Sequence, residues 1–227
     1  MSLLQQLYHA PPLQNPAFQR VAQRLNVLCC HRALPGLLFS LGILRAIISL
    51  LAYPAAHGAD SFAYLFYAER LGGLDIPGLS QVVPPLYSAL ILVTYKGLGS
   101  LYWLIGLQVL MSAALAPLYY LALKRSHAVL AVVAALVILL DFQTATVFNF
   151  VSTEPLYVFL LALTFYLFLR QAEQPGRVWL KGDALAGLLP LLLMLTRAVG
   201  RFLIIPQVIL FALWTRSWKR GLVMAGG

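Results

Sequence analysis

The chain has 227 residues, of which 61% are hydrophobic and only 10% charged, and its net charge is +9. A soluble domain of this size carries charge on about a quarter of its residues, so composition argues against a water-soluble enzyme. The basic excess would suit nucleic acid or an anionic surface, yet its placement along the chain removes the need for nucleic acid.

Met1 to Ala33 is polar, interrupted by Pro11, Pro12 and Pro16, and has no apolar stretch of signal-peptide type. It reads as a cytoplasmic amino-terminal segment (residues 1–33) with amphipathic spacing near Phe18 to Leu28. Cys29 and Cys30 are adjacent, a spacing that suits neither a disulfide nor a zinc site. They read as two small residues, with juxtamembrane acylation as the other reading.

From Leu34 onward, Leu-rich runs recur that at 1.5 Å per residue match a hydrocarbon core about 30 Å thick. Residues 34–227 are therefore expected to form an all-α, polytopic transmembrane bundle. The first span runs from Leu34 to Tyr53. The stretch from Pro54 to Ser100 is broken by Gly and Pro and reads as a first external loop holding juxtamembrane helices. One covers Asp60 to Leu71. A second, Pro84 to Lys96, opens on a Pro pair and is too short to cross, so it lies at the outer interface with Tyr87 and Tyr95 as interfacial aromatics.

Later spans are expected at Leu101 to Leu123, Ala128 to Phe148, Pro155 to Leu169, Ala184 to Thr196 and Phe202 to Trp214. With this alternation, 11 of the 16 lysines and arginines fall on the cytoplasmic side, accompanied only by Glu173 and Asp183. That asymmetry is the positive-inside bias. Making Pro84 to Lys96 a true span would move Lys124, Arg125, Arg170, Arg177 and Lys181 outside, and the bias decides against it. Gly221 to Gly227 resembles the opening of a further span, so the chain is expected to be the amino-terminal piece of a longer protein.

Ionisable groups inside such a chain are costly and mark work to be done. Asp60 and Glu154 fall on the external side, and so do Arg197 and Arg201, in a tight turn between two spans. A carboxylate serves as general base toward a hydroxyl or amine, and arginines hold phosphate through forked hydrogen bonds. Each has a plainer reading. Asp60 suits the N-cap of the helix after it, Glu154 suits a helix first turn, and the arginines suit the interface. Asp141, in the outer half of its span, either bonds a freed backbone group or faces the same cavity as the external charges. Arg45 pairs with it or with lipid phosphate. His57 lies near Asp60, and the four histidines show no metal-ligand pattern. No phosphate-cradling glycine loop occurs. No metal or cofactor is expected.

Four stretches together resemble the amino-terminal module of the GT-C superfamily of lipid-dependent glycosyltransferases, and among these the bacterial aminoarabinose transferases and protein O-mannosyltransferases. They are ADSFAYLFYAERLGGL (Ala59 to Leu74), which carries Tyr64 in a Tyr-x-x-x-Ala pattern, and VPPLYSALILVTYKGLG (Val83 to Gly99). STEPLYVFLLALTFYLFLR (Ser152 to Arg170) and AGLLPLLLMLTRAVGRFLIIP (Ala186 to Pro206) complete the set. The resemblance implies a GT-C-like fold and a membrane glycosyltransferase of the bacterial inner membrane. Such an enzyme moves a sugar from a polyprenyl-phosphate donor to a lipid, glycan or protein acceptor at the external face. It implies Asp60 as catalytic base, Glu154 as the second external acid and Arg197 as the donor-phosphate residue. Val83 departs from the Lys or Arg that relatives often carry there, so Arg201 or Lys96 is expected to compensate. His57, Tyr64 and Asp141 are the further candidates for lining the cavity. The competing readings are a truncated or non-catalytic scaffold and a transporter- or flippase-like bundle, the latter calling for midplane charges and inverted repeats that the sequence lacks.

Overall fold

In a computed structural model, the structure describes residues 27–58, 60–73, 83–172, 180–200, 202, 206 and 209. Arg201, the amino-terminal segment before Val27, most of the stretch Phe202 to Trp214 and the terminal Gly221 to Gly227 lie outside them. The described residues are mostly helical, and among them there is no strand beyond one isolated parallel bridge between Ala56 and Phe150.

The helices are α1 (Leu34–Ala52), α2 (Ser61–Gly72), α3 (Pro85–Ile91), α4 (Tyr102–Leu123), α5 (Ala128–Leu140), α6 (Phe142–Val147), α7 (Glu154–Ala172) and α8 (Leu180–Thr196). α3 runs on as a π-helical turn over Leu92–Gly97. There the Thr94 hydroxyl donates to the Leu90 carbonyl at 2.9 Å and to that of Ile91 at 3.2 Å, supplying donors that the widened backbone register does not. Among the described residues two helices, α1 and α4, are long and apolar enough to cross a membrane.

α4 is the central post. It packs against α1, α5 and α7, while α8 leans on α7 and α3, and α2 lies along α3. Two apolar clusters follow from this. One joins α3, α4, α7 and α8 through Tyr87, Ile91, Leu104, Leu160 and Leu193. The other joins α1, α4 and α5 through Leu38, Ala116, Tyr120, Ala131 and Ala135. The contacts fix direction: α4 and α7 descend together, and α1, α5 and α8 run the opposite way. Outside the clusters α1 and α5 stay bare. Leu37, Leu44, Ile47 and Leu51 on α1, and Val129, Val133, Val137 and Leu140 on α5, are all exposed.

The α1–α4 seam is set by small residues. Pro117 sits inside α4 and has no N–H, so the Ala113 carbonyl one turn earlier loses its helical donor. Gly42 of α1 packs onto that freed carbonyl, and a Cβ at position 42 would stand 2.6 Å from its oxygen. Only glycine allows the approach.

One turn along α1, Arg45 is buried between the same helices. Its Nη1 donates to the Ile138 carbonyl at 2.5 Å and to that of Asp141 at 3.4 Å. Its Nη2 donates to the Ser112 hydroxyl at 2.6 Å and the Ser112 carbonyl at 3.3 Å. A cation thus closes the carbonyl end of α5, where the helix dipole is negative. The expected single span from Ala128 to Phe148 is therefore two helices. Asp141 breaks it, and its carboxylate caps α6 by accepting from the Thr144 N–H at 3.2 Å and from the Thr144 hydroxyl. Arg45 meets the main chain of Asp141, and no ion pair links the two side chains.

Candidate functional site

The end of the bundle where α1 leaves and α7 begins is held by polar stitching. Asn149 is buried and donates from Nδ2 to the Ser49 hydroxyl at 3.0 Å and to the Tyr53 carbonyl at 2.8 Å. The Ala56 N–H donates to the Asn149 carbonyl and the Val151 N–H to the Ala56 carbonyl, each at 3.2 Å. Gln108, reaching out of α4, donates to the Phe150 carbonyl at 3.0 Å. Finally Ser61 donates its hydroxyl to the Val151 carbonyl at 2.6 Å and accepts from the Gly58 N–H at 2.7 Å. Two segments far apart in sequence, Tyr53 to Ser61 and Asn149 to Val151, are bound into one unit.

That unit positions the acids. Asp60 stands at the N-cap position of α2 with φ −89° and ψ −7°, but its side chain makes no capping bond. The carboxylate is exposed beside Ser61, which is fastened to the segment leading into Glu154. Glu154 opens α7 and forms an ion pair with Arg197, and both side chains are partly buried. Arg197 follows directly on α8, its N–H bonded to the Leu193 carbonyl at 3.0 Å, and its guanidinium lies 5.9 Å from the Tyr157 ring centre. Gly200 holds this turn. A Cβ there would meet the Leu193 carbonyl carbon at 2.5 Å, so the 3₁₀ turn Ala198–Gly200 can fold under α8 only without a side chain. Burial pushes the Glu154 carboxyl upward, but hydrogen bonds from its own backbone, the Ser152 side chain and Arg197, together with the Arg197 charge, outweigh it and hold the group below its ordinary value. It is a carboxylate at neutral pH.

Behind the ion pair lies a floor of buried polar side chains. Tyr64 brings its hydroxyl to 3.5 Å from that of Thr153 and meets Tyr87 edge to face, with ring centres 5.4 Å apart. Tyr87 and Ser88 are completely buried and Gln108 nearly so. Yet the Tyr87 hydroxyl, the Ser88 hydroxyl and the Gln108 Oε1 have no hydrogen-bond partner. Burial, with the Tyr64 and Glu154 charges, pushes the Tyr87 phenol up against the opposing pull of hydrogen bonding toward the Ser152 backbone and the Gln108 side chain. Buried polar groups are nearly always paired, so these atoms are the least satisfied in this part of the bundle. Their position corrects one expectation: Tyr87 is a core residue and not an interfacial aromatic, while Tyr95 is exposed.

The candidates therefore divide. Asp60, Glu154, Arg197 and Tyr64 come to one end of the bundle. His57 is there too, but it is exposed and stacks on Phe62 with ring centres 5.8 Å apart. Lys96 is set apart. α2 and α3 run parallel with Tyr64 against Tyr87, and Lys96 lies against Gly72, two helical turns or about 12 Å farther along. Asp141 is spent on capping α6. Sequence reading missed Gln108, Asn149 and Ser88, although a glutamine inside an apolar helix is itself a signal. Among the described residues no three His, Cys, Asp or Glu side chains gather as a metal site.

An exposed carboxylate and a partly exposed arginine held by a second carboxylate can receive a polar, phosphate-bearing molecule. No family, no curated protein and no solved structure matches the chain.

Proposed function

We propose that the chain is the membrane module of a GT-C-like glycosyltransferase, spanning the bacterial inner membrane several times with the Asp60 end outside. The observation that carries this reading is the joining of the Asp60 and Glu154 segments through Ser61 and Val151, with Arg197 paired to Glu154. The far end of the bundle supports the orientation, since Lys124, Arg125 and Arg170 gather there. The bare apolar faces of α1 and α5 support a lipid surround, because soluble proteins rarely leave such patches uncovered.

The chemistry is an inverting transfer from a polyprenyl-phosphate sugar to a lipid, glycan or protein acceptor. Asp60 takes the proton of the acceptor hydroxyl or amine as that atom attacks the anomeric carbon. The bond from that carbon to the phosphate oxygen breaks, and the polyprenyl phosphate leaves with both bonding electrons. Arg197 stabilises the charge on the departing phosphate, and Glu154 holds Arg197 in place. A donor with its isoprenoid tail in the bilayer gives a reason for building the enzyme there. Asp60→Asn is expected to cut transfer by about 10²–10⁴-fold while membrane insertion stays intact, measured with radiolabelled donor in membranes containing the full protein. Near-normal turnover would refute the assignment.

A further inference from the structure

At the end of the bundle opposite Asp60, α4 and α7 finish side by side and enclose a cavity of about 140 Å³ lined by Leu121, Ala122, Lys124, Arg125, Tyr166 and Arg170. Among the described residues of its lining three are cations and none is an acid. We propose that this cavity binds the phosphate of an anionic phospholipid headgroup, a role independent of sugar transfer.

The side chains are arranged for an anion. Arg170 donates from Nη1 to the Tyr166 hydroxyl at 2.9 Å. The hydroxyl's lone pair is thereby used and its proton left to donate, which suits a phosphate oxygen. The remaining guanidinium N–H groups supply forked donors. Lys124 also lines the cavity, and its ammonium lies 5.6 Å from the ring centre of Tyr120, which belongs to the neighbouring α1–α4–α5 cluster. Cations at helix C-termini complement the dipole, but that duty is largely discharged here by other groups. The Tyr120 carbonyl accepts from the Lys124 N–H, and the Leu123 carbonyl accepts from the N–H groups of Ser126 and His127. A positive-inside bias asks for basic residues on this side; it does not ask for three of them around one concavity with a hydroxyl donor. Leu121 and Ala122 form the apolar edge, where the glycerol and upper acyl chains of a lipid would run. Basic pockets between membrane helices on the cytoplasmic side suit anionic headgroups.

The test uses the whole protein purified in neutral detergent, with bound lipid counted by native mass spectrometry. Phosphatidylglycerol is expected to stay bound and phosphatidylcholine to be lost. Lys124→Gln and Arg170→Gln should each weaken retention about fivefold, and the double variant about 25-fold. Arg170→Lys, which keeps the charge and loses the fork, should fall between. Equal retention of the two lipids, or full retention by the double variant, would overturn the site. Inorganic phosphate separates the two sources of the ligand. If millimolar phosphate leaves phosphatidylglycerol in place, the lipid is the ligand; if it binds alone and displaces the lipid, the lipid assignment fails. Should the double variant aggregate, Tyr166→Phe reads the same site through the lost donor, and unchanged retention there together with unchanged retention in Arg170→Lys would also overturn it.

Discussion

Two regions of this bundle treat buried polar atoms in opposite ways. At the α1–α4–α5 seam, Arg45 spreads its guanidinium over three carbonyls and one hydroxyl, leaving only Nε without a partner. Near Glu154, the Tyr87, Ser88 and Gln108 side chains are buried with polar atoms unmatched. The first arrangement closes a helix end and holds helices together. The second is satisfied less completely, and each buried group left unpaired costs about 1–3 kcal/mol.

The largest effect that would break this contrast is at Arg45. Arg45→Met keeps the bulk but strips donors from Ile138, Asp141 and Ser112, and is expected to lose on the order of 3 kcal/mol, read as a fall in the detergent melting temperature. An unchanged melting point would show that the seam does not depend on the guanidinium. Gly42→Ala tests the same seam through packing alone. Its methyl group meets backbone at Ala113, so about 1–3 kcal/mol should be lost, whereas Gly36→Ala, with open space around it, should cost far less. At the other region the sign reverses. Tyr87→Phe removes an unpaired hydroxyl and should leave stability unchanged or raise it by up to about 1 kcal/mol, while sugar transfer falls. A marked loss of stability would mean that the hydroxyl is bonded after all.

The smallest expected effect is on pH. The Glu154 carboxyl is held low in the folded protein, so its contribution is complete above the ordinary carboxylate value of about 4.3 and disappears as pH falls through the lower folded value. Between pH 5 and about 3 the wild-type melting temperature should drop slightly more than that of Glu154→Gln. The pair is partly exposed, so solvent screening keeps the difference small.

Much of the helical layout was legible because long apolar runs and basic turns are properties of the chain itself. α1, α4 and α7 begin and end close to their expected limits, Arg197 drew attention as a cation expected against the positive-inside trend, and Glu154 as an acid at the opening of a span. The break at Asp141 was not legible. Ala128 to Phe148 reads as one apolar run, and what divides it is Arg45, distant in sequence, together with the local cap to Thr144. Tyr87 was misread for a related reason. In a short helix apolar on every side, periodicity defines no inner face, and only the parallel packing of α2 against α3 turns that ring inward. The stitching by Asn149 and Gln108 depends on carbonyls in an irregular segment, where no sequence pattern announces them.

The Arg45 clamp also constrains how the protein is made. The donor sits on the first long helix, and the carbonyl it grips at Ile138 emerges 93 residues later. Its earlier partner, Ser112, emerges 67 residues after it, so at roughly 5–20 residues per second the guanidinium waits several seconds for its first acceptor and longer for the last. The seam of α1 can therefore close on α4 first, and the clamp is complete only once the end of α5 has been made.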